Sequence, residues 1–323
     1  MATDSSSGAP AVSVIIPAYN TAHLIAPCLD SVFAQTFRDF EIIVVNDGSP
    51  DTVQLERTLQ PYIDRIVYVR QENKRAAGAR NTAIGKARGE FLAFLDSDDS
   101  WLPDHLAFQM KFFADDPGLG LVYADAILTG SGPEKTFMKI CPSEGEASFE
   151  ALTVERCQIP ISTVVARKAA IVKAGLFDEK MARCDDYDMW LRTAFFGAKI
   201  TYSRKVQAAL NLGRPDSLSL SRFNMSEAYF KILEKTLQTL PLSSAQRTLV
   251  EQRTATIKAR TLIEQGKLEL RAQHPEKAGE LFAEANRYLH TLKLSIASRS
   301  LRLAPRSASR LISMWNRLSS AGG

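Results

Sequence analysis

The sequence predicts an α/β fold, a mostly parallel central sheet followed by an all-α C-terminal region. Three observations carry the prediction. Short β-branched runs alternate with helical periodicity over the first hundred residues, polar and acidic residues gather just after those runs, and the last hundred residues show helical periodicity alone. Strands separated by crossover helices imply right-handed connections and helices on both faces of the sheet.

Val12–Pro17 (VSVIIP) is a buried-strand run ended by proline, and Thr21–Gln35 places Leu24, Cys28, Leu29 and Val32 at helical spacing. Glu41–Asn46 (EIIVVN) is a second strand, closed by the turn signal NDGSP. A helix around Asp51–Gln60, a strand Arg65–Val69, a helix near Ala76–Arg88 and a strand Phe91–Leu95 continue the alternation. Pro103–Asp115 reads as a helix, Gly120–Asp125 and Ser162–Arg167 as strands, Lys168–Ala174 as a short helix and Tyr187–Phe196 as an amphipathic one. From Thr129 to Ile159 the periodicity is weak, beginning with a Gly/Ser/Pro-rich loop.

With 323 residues, 45% apolar and 24% charged, the chain has the make-up of an ordinary globular protein of one large domain and an appendage. It has no apolar run long enough to span a bilayer, and MATDSSSGAP lacks the basic and apolar regions of a signal peptide. A cytoplasmic location is expected, or a peripheral one on the cytosolic face of the membrane. Cys28, Cys141, Cys157 and Cys184 are scattered and read as reduced structural thiols without zinc spacing. Charge is unevenly spread: residues 221–323 hold 17 Lys and Arg against 8 Asp and Glu, a net of +9, which leaves −5 for residues 1–220.

Chemistry concentrates in FLAFLDSDD. A run buried on both faces delivers three carboxylates, Asp96, Asp98 and Asp99, to a strand's C-terminal end, where open α/β sheets bind ligands. Like charges so close repel one another, so the cluster suits a divalent cation bound through oxygen and, through it, a phosphate. The plainer alternative is an acidic turn in which Asp99 or Ser100 caps the next helix. Pro17, Tyr19 and Asn20, then Asp47, then Asn73 follow the other strands and share this edge. Tyr19 offers a face on which a base can stack, and Asp47 either accepts from a base N–H or is a turn aspartate. No GxGxxG follows a strand, and Gly85-Lys86 fails as a Walker loop because Ala87 comes next.

VSVIIPAYN, SVFAQTFRDFEIIVVNDGSPD, GARNTAIGKARGEFLAFLDSDDSWLPDHL and GLFDEKMARCDDYDMWLRTAFFG, in this order and spacing, resemble the family 2 glycosyltransferases of GT-A fold over roughly residues 11–220. The resemblance implies a nucleotide-diphosphate-sugar donor, Mn²⁺ or Mg²⁺, and inversion at the anomeric carbon. It assigns Pro17, Tyr19, Asp47, Arg80 and Asp96 to the nucleotide and Asp98, with Asp96 and Asp99, to the metal. Asp186, second acid of the couple ahead of the Tyr/Trp-rich helix, is implied as the catalytic base. Asp185, Trp190 and Arg214 are candidate acceptor or diphosphate contacts. Asn46 stands where an aspartate is frequent, and Arg75 where the family's N-x-G loop has glycine. Arg75 either reaches a donor phosphate or points to solvent. Asn211–Arg222 resembles the closing segment R-x-H-x-x-S-x-S but lacks its histidine, with Gly213 and Arg214 nearby.

Ser226–Leu240 is helical, Ser243 and Gln246 are spaced as a capping box, and Pro275–His290 completes a hairpin resembling one tetratricopeptide-like unit. From Lys293 onward there are six basic residues and no acid, with Arg306, Arg310 and Arg317 on one stripe beside Leu311, Met314, Trp315 and Leu318. That is an interfacial anchor for an anionic membrane or a last helix packed on the domain.

The expected organisation is a lead (1–10), a GT-A domain (11–222), a helical extension (223–292) and a basic tail (293–323). The expected activity is transfer of a sugar, UDP-linked first, to a glycan or lipid-linked glycan, with no nucleic acid partner. Its rivals are a non-catalytic nucleotide-sugar-binding scaffold and a nucleotidyltransferase, and the latter lacks its Gly-rich loop.

Overall fold

The computed structural model describes residues 8–130, 135–213 and 222–304. Arg214 and the tail residues Arg306, Arg310, Leu311, Met314, Trp315, Arg317 and Leu318 lie outside these. The chain divides into two compact units, Met1–Ser217 and Leu218–Gly323.

The first unit opens with β1 (Val12–Ala18), α1 (Ile25–Phe33), β2 (Phe40–Asp47), α2 (Thr52–Leu59), β3 (Val67–Gln71), α3 (Arg75–Lys86) and β4 (Phe91–Phe94). These four strands run parallel in the order β3-β2-β1-β4, as crossover helices require. β1 is central, and Val14, Ile15 and Ile16 are wholly buried, which is why the run is apolar on both faces. The β1–β4 ladder ends at Ile15–Phe94, so the missing N–H of Pro17 falls where that ladder has stopped.

Beyond β4 come β5 (Ser100–Trp101), α4 (His105–Asp115), β6 (Leu119–Thr129), β7 (Lys135–Thr136), α5 (Phe137–Ile140), α6 (Phe149–Thr153), β8 (Val165–Arg167), α7 (Lys168–Lys173), α8 (Asp185–Phe195) and β9 (Lys199–Asn211). The sheet continues β4-β8-β6-β9-β5, with β7 beside β6. β8 runs antiparallel to both neighbours, and β6 and β9 pair in parallel.

Two expectations change here. The acids after β4 do not cap the next helix: Ser100 and Trp101 pair with Ala209 and Ala208 of β9, and α4 starts later with Asp104 before it. β9, thirteen residues long, has no counterpart in the sequence reading, although KITYSRKVQAALN sets Ile200, Tyr202, Val206, Ala208 and Leu210 at alternate positions, because Arg204 interrupts the run and only Ile200, Gln207 and Ala208 are buried.

The second unit is α9 (Arg222–Thr239), α10 (Ser244–Arg271), α11 (Pro275–Leu289) and α12 (Leu292–Leu303). The capping box is present, Ser243 accepting from Gln246 N while the Gln246 side chain accepts from Ser243 N. Leu270, Ala278, Phe282 and Leu301 form a core shared by α10, α11 and α12, so residues 293–303 pack with the helical unit.

Candidate active site

The site lies along the C-terminal ends of β1, β2 and β4, where the parallel strands deliver their polar residues to one edge. Arg80 organises it. Its side chain, on the buried face of α3, donates from Nη2 to Asp96 Oδ1 and from Nη1 to Asp185 Oδ2, both at 2.6 Å. Although burial opposes charge on the guanidinium, Asp96 and then Asp185 hold its pKa above the ordinary arginine value. One planar fork on α3 therefore ties the end of β4 to the start of α8, Asp185 lying 105 residues beyond Arg80 in the chain.

Asp186 follows directly. It is half-buried, its Oδ1 accepts from Tyr187 N at 2.8 Å, and burial together with the charge of Asp185 pushes its pKa up to about 7, against the opposing pull of Arg80. The chain enters α8 through Cys184 in the left-handed region (φ 56°), a tight bend that sets three acids in the helix's first turn.

Asp98 and Asp99 occupy the turn beyond β4. Asp99 is pinned: Ser162 Oγ donates to its Oδ2 at 2.5 Å and Asn211 N to its Oδ1 at 2.8 Å. Burial, then Asp98 and Asp96, raises its pKa well above the carboxylate range. Asp96 N bonds back to Ser162 Oγ, and Ser97 pairs with Thr21. Ser162 and Thr21 were missed in the sequence because their partners lie 60 to 80 residues away and a lone hydroxyl carries no local signal.

On the β1–β2 side, Tyr19 is 49% exposed at the strand end, the only large aromatic so exposed among the described residues of the first unit. Asp47 is buried, and its Oδ1 accepts from Gln71 Nε2 and Lys74 N, neither bond using Oδ2. Gly48 (φ 64°) is required, since a Cβ there would meet Asn73 N at 2.8 Å. Asn46, in place of the frequent aspartate, is fully used: its amide donates to Thr52 Oγ1 and Tyr68 Oη, and its carbonyl accepts from Ser49 N.

One expected contact is placed differently. Trp190 is 1% exposed and packs edge-on against Phe94 and Phe177, so the indole is part of the core and presents no face to an acceptor. Asp185 is engaged by Arg80, which makes it an anchor of the acid pair.

A mostly parallel sheet thus sets an exposed aromatic and a buried acid beside β1 and β2, and acids after β4 that Arg80 ties to a second acid pair on α8. Residues 13–153 match the family model described as glycosyl transferase family 2. An uncharacterized glycosyltransferase of Rickettsia prowazekii is 30% identical over 62% of this chain and 65% of its own length. The amylovoran biosynthesis glycosyltransferase AmsB of Erwinia amylovora is 32% identical over 58% of this chain and 65% of its own. The chain thus spans less than two thirds of the length of these curated relatives. Among solved structures, S. aureus TarS 1-349 in complex with UDP-GlcNAc covers 95% of this chain and 92% of its own at TM-score 0.61 and 20% identity. The mannosyltransferase PcManGT of Pyrobaculum calidifontis, in complex with GDP-Man and Mn²⁺, covers 96% and 88% at TM-score 0.61 and 19% identity. The first unit of this chain has the GT-A fold, and its residues 13–153 carry the match to the family 2 glycosyltransferases.

Proposed function

We propose that this protein is an inverting glycosyltransferase that moves a sugar from a nucleotide diphosphate, UDP first among the candidates, to a hydroxyl of a glycan or lipid-linked glycan. The observation that carries the reading is the Arg80 fork, which holds the acids after β4 and the acid pair of α8 at opposite sides of one guanidinium. The named relatives and the donor complexes of the two structural neighbours support it. Peripheral contact with a membrane belongs to the same reading, since a lipid-linked acceptor is presented there.

In this reading Tyr19 stacks on the base, Asp47 accepts from it through Oδ2, and Pro17 shapes the pocket floor. Asp186 takes the acceptor hydroxyl's proton as that oxygen attacks C1 from the face opposite the diphosphate. Its half-buried carboxyl, with a pKa near 7, suits a general base. Asp98 is taken as the first metal contact from its place in the D-S-D-D run, with Asp96, held by Arg80 through one oxygen, and Asp99, fixed by Ser162 and Asn211, beside it.

The donor set fits Mn²⁺ or Mg²⁺. Its ligands are hard oxygens, and Asp99, whose pKa is raised first by burial and then by the charges of Asp98 and Asp96, shares its turn with two further carboxylates, a donor set suited to a divalent cation. Among the described residues no three His, Cys, Asp or Glu converge to hold an ion alone. When bound, the ion would offset charge on the leaving diphosphate.

The test is calorimetric titration of UDP, GDP and dTDP with Mn²⁺ or with EDTA, beside Asp98→Ala and Asp186→Asn proteins. One nucleotide is expected to bind only with metal, and that binding is expected to be lost in Asp98→Ala. Asp186→Asn should bind it normally yet lose transfer by roughly a hundredfold or more. An Asp186→Asn protein with full activity refutes the base, and no nucleotide binding at all leaves the scaffold reading.

A further inference from the structure

We propose that the open face of α12 is a docking surface for an anionic lipid bilayer. The helix has two apolar faces. Leu294, Ala297, Ser298 and Leu301 pack against α10 and α11, where a Cβ on Gly279 would stand 3.1 Å from Leu301 Cβ, so α12 is held close to its neighbour. At 100° per residue, Leu292, Ile296, Arg299 and Leu303 fall within one narrow stripe on the opposite side. That stripe is open: Leu292 is 75% exposed, Ile296 57% and Leu303 87%.

A helix already packed on one side gains nothing in water from a second row of large aliphatics. Charge identifies the occupant. Lys293 and Arg302 flank the stripe on either side, Arg299 sits within it, and all three are exposed. From Ala285 to Gly323 the sequence holds seven Lys and Arg and no Asp or Glu. Aliphatic residues along the middle with basic side chains at both margins match a helix lying flat at a membrane, the aliphatics entering the acyl boundary while the long cations reach the phosphates. A second copy of this face would set basic stripe against basic stripe, which disfavours self-pairing.

The proposal stands on α12 and does not depend on the glycosyltransferase reading. Its test is flotation of the full chain with vesicles of phosphatidylcholine alone and of phosphatidylcholine mixed with phosphatidylglycerol, in parallel with nucleotide titration of the same samples. Binding is expected only to the mixed vesicles, weakening as salt is raised. The Ile296→Glu/Leu303→Glu protein should lose it by about tenfold or more, and Arg299→Gln/Arg302→Gln should lose part of it. Both pairs are solvent-facing, so melting temperature and nucleotide binding should stay as in the parent. Full binding by the glutamate variant would overturn the proposal, as would no binding by the parent. So would light scattering in which the parent is dimeric, the variant monomeric, and neither floats.

Discussion

Arg80 is the residue on which the site turns. Removing it leaves Asp96 and Asp185 facing each other across the space the fork had filled, and Asp185 is almost wholly buried. Arg80→Met is expected to cost on the order of 3 kcal/mol, measured by urea unfolding, because an uncompensated buried charge is dearer than the pair is favourable. Arg80→Lys should fail to restore activity, since one ammonium cannot reach two carboxylates as a fork does. In the double variant Arg80→Met/Asp185→Asn part of the lost stability should return; costs that merely add would mean the two residues do not interact. Arg75 gives a second test. It holds φ 62° at the start of α3, a left-handed position that favours glycine, which explains why the family places glycine there. Arg75→Gly should raise stability by ~1 kcal/mol. UDP affinity measured on the same protein separates the two readings of this side chain: a phosphate contact predicts a drop, a solvent-facing arginine no change.

The elements whose burial is regular were readable from the sequence, and those defined by distant partners were not. β1, β2 and β4 are buried on both faces and announce themselves as unbroken apolar runs. β5 is two residues held by β9 and leaves no period to read, whereas β9 does alternate through Ile200, Tyr202, Val206, Ala208 and Leu210 but is interrupted at Arg204, where its ladder with β6 bulges near Asp125. The same division holds in the site. Asp96, Asp98, Asp99, Asp185 and Asp186 stand at element ends where acids are conspicuous, whereas Ser162 and the backbone N–H of Asn211, which fix Asp99, emerge only when β8 and β9 find their places. Trp190 misled because an aromatic at helical spacing reads equally as core or as contact, and here the core took it. In the second unit the long helix α10 buries few large residues, so its packing depends on close approach. A Cβ on Gly266 would come within 2.5 Å of the Phe282 ring. Gly266→Ala would gain helix propensity of about 1 kcal/mol yet force a well-packed ring to move. A net loss of roughly 1–2 kcal/mol in the melting of this unit is expected; a gain would show that the α10–α11 contact is loose.

Across the whole molecule, charge is divided between the two units, and one contribution to the pH response comes from a group outside the catalytic reading. His105 is fully buried at the start of α4, stacked on Trp101 at 4.3 Å, and among the described residues neither ring nitrogen has a well-formed hydrogen bond, the Gln207 backbone giving only a weak pull toward the charged ring. Burial lowers its pKa from the ordinary 6.5 to about 3. The native state therefore keeps it neutral while the unfolded chain takes up a proton below 6.5, so its contribution to stability is complete above that pH and drains away as pH falls toward 3. The slope is at most about 1.4 kcal/mol per pH unit for one proton. Asp99 and Asp186, with pKa values raised in the native state, act in the opposite sense and gain stability as pH falls. A comparison against His105→Phe, which keeps the stack on Trp101 and cannot titrate, cancels these carboxylates. Urea unfolding followed by the fluorescence of Trp101 and Trp190 should show the parent losing stability faster than the variant between pH 6.5 and 4.5. Parallel slopes would mean that the native imidazole binds its proton as readily as the unfolded one, with ordered water reaching the two nitrogens beneath Trp101.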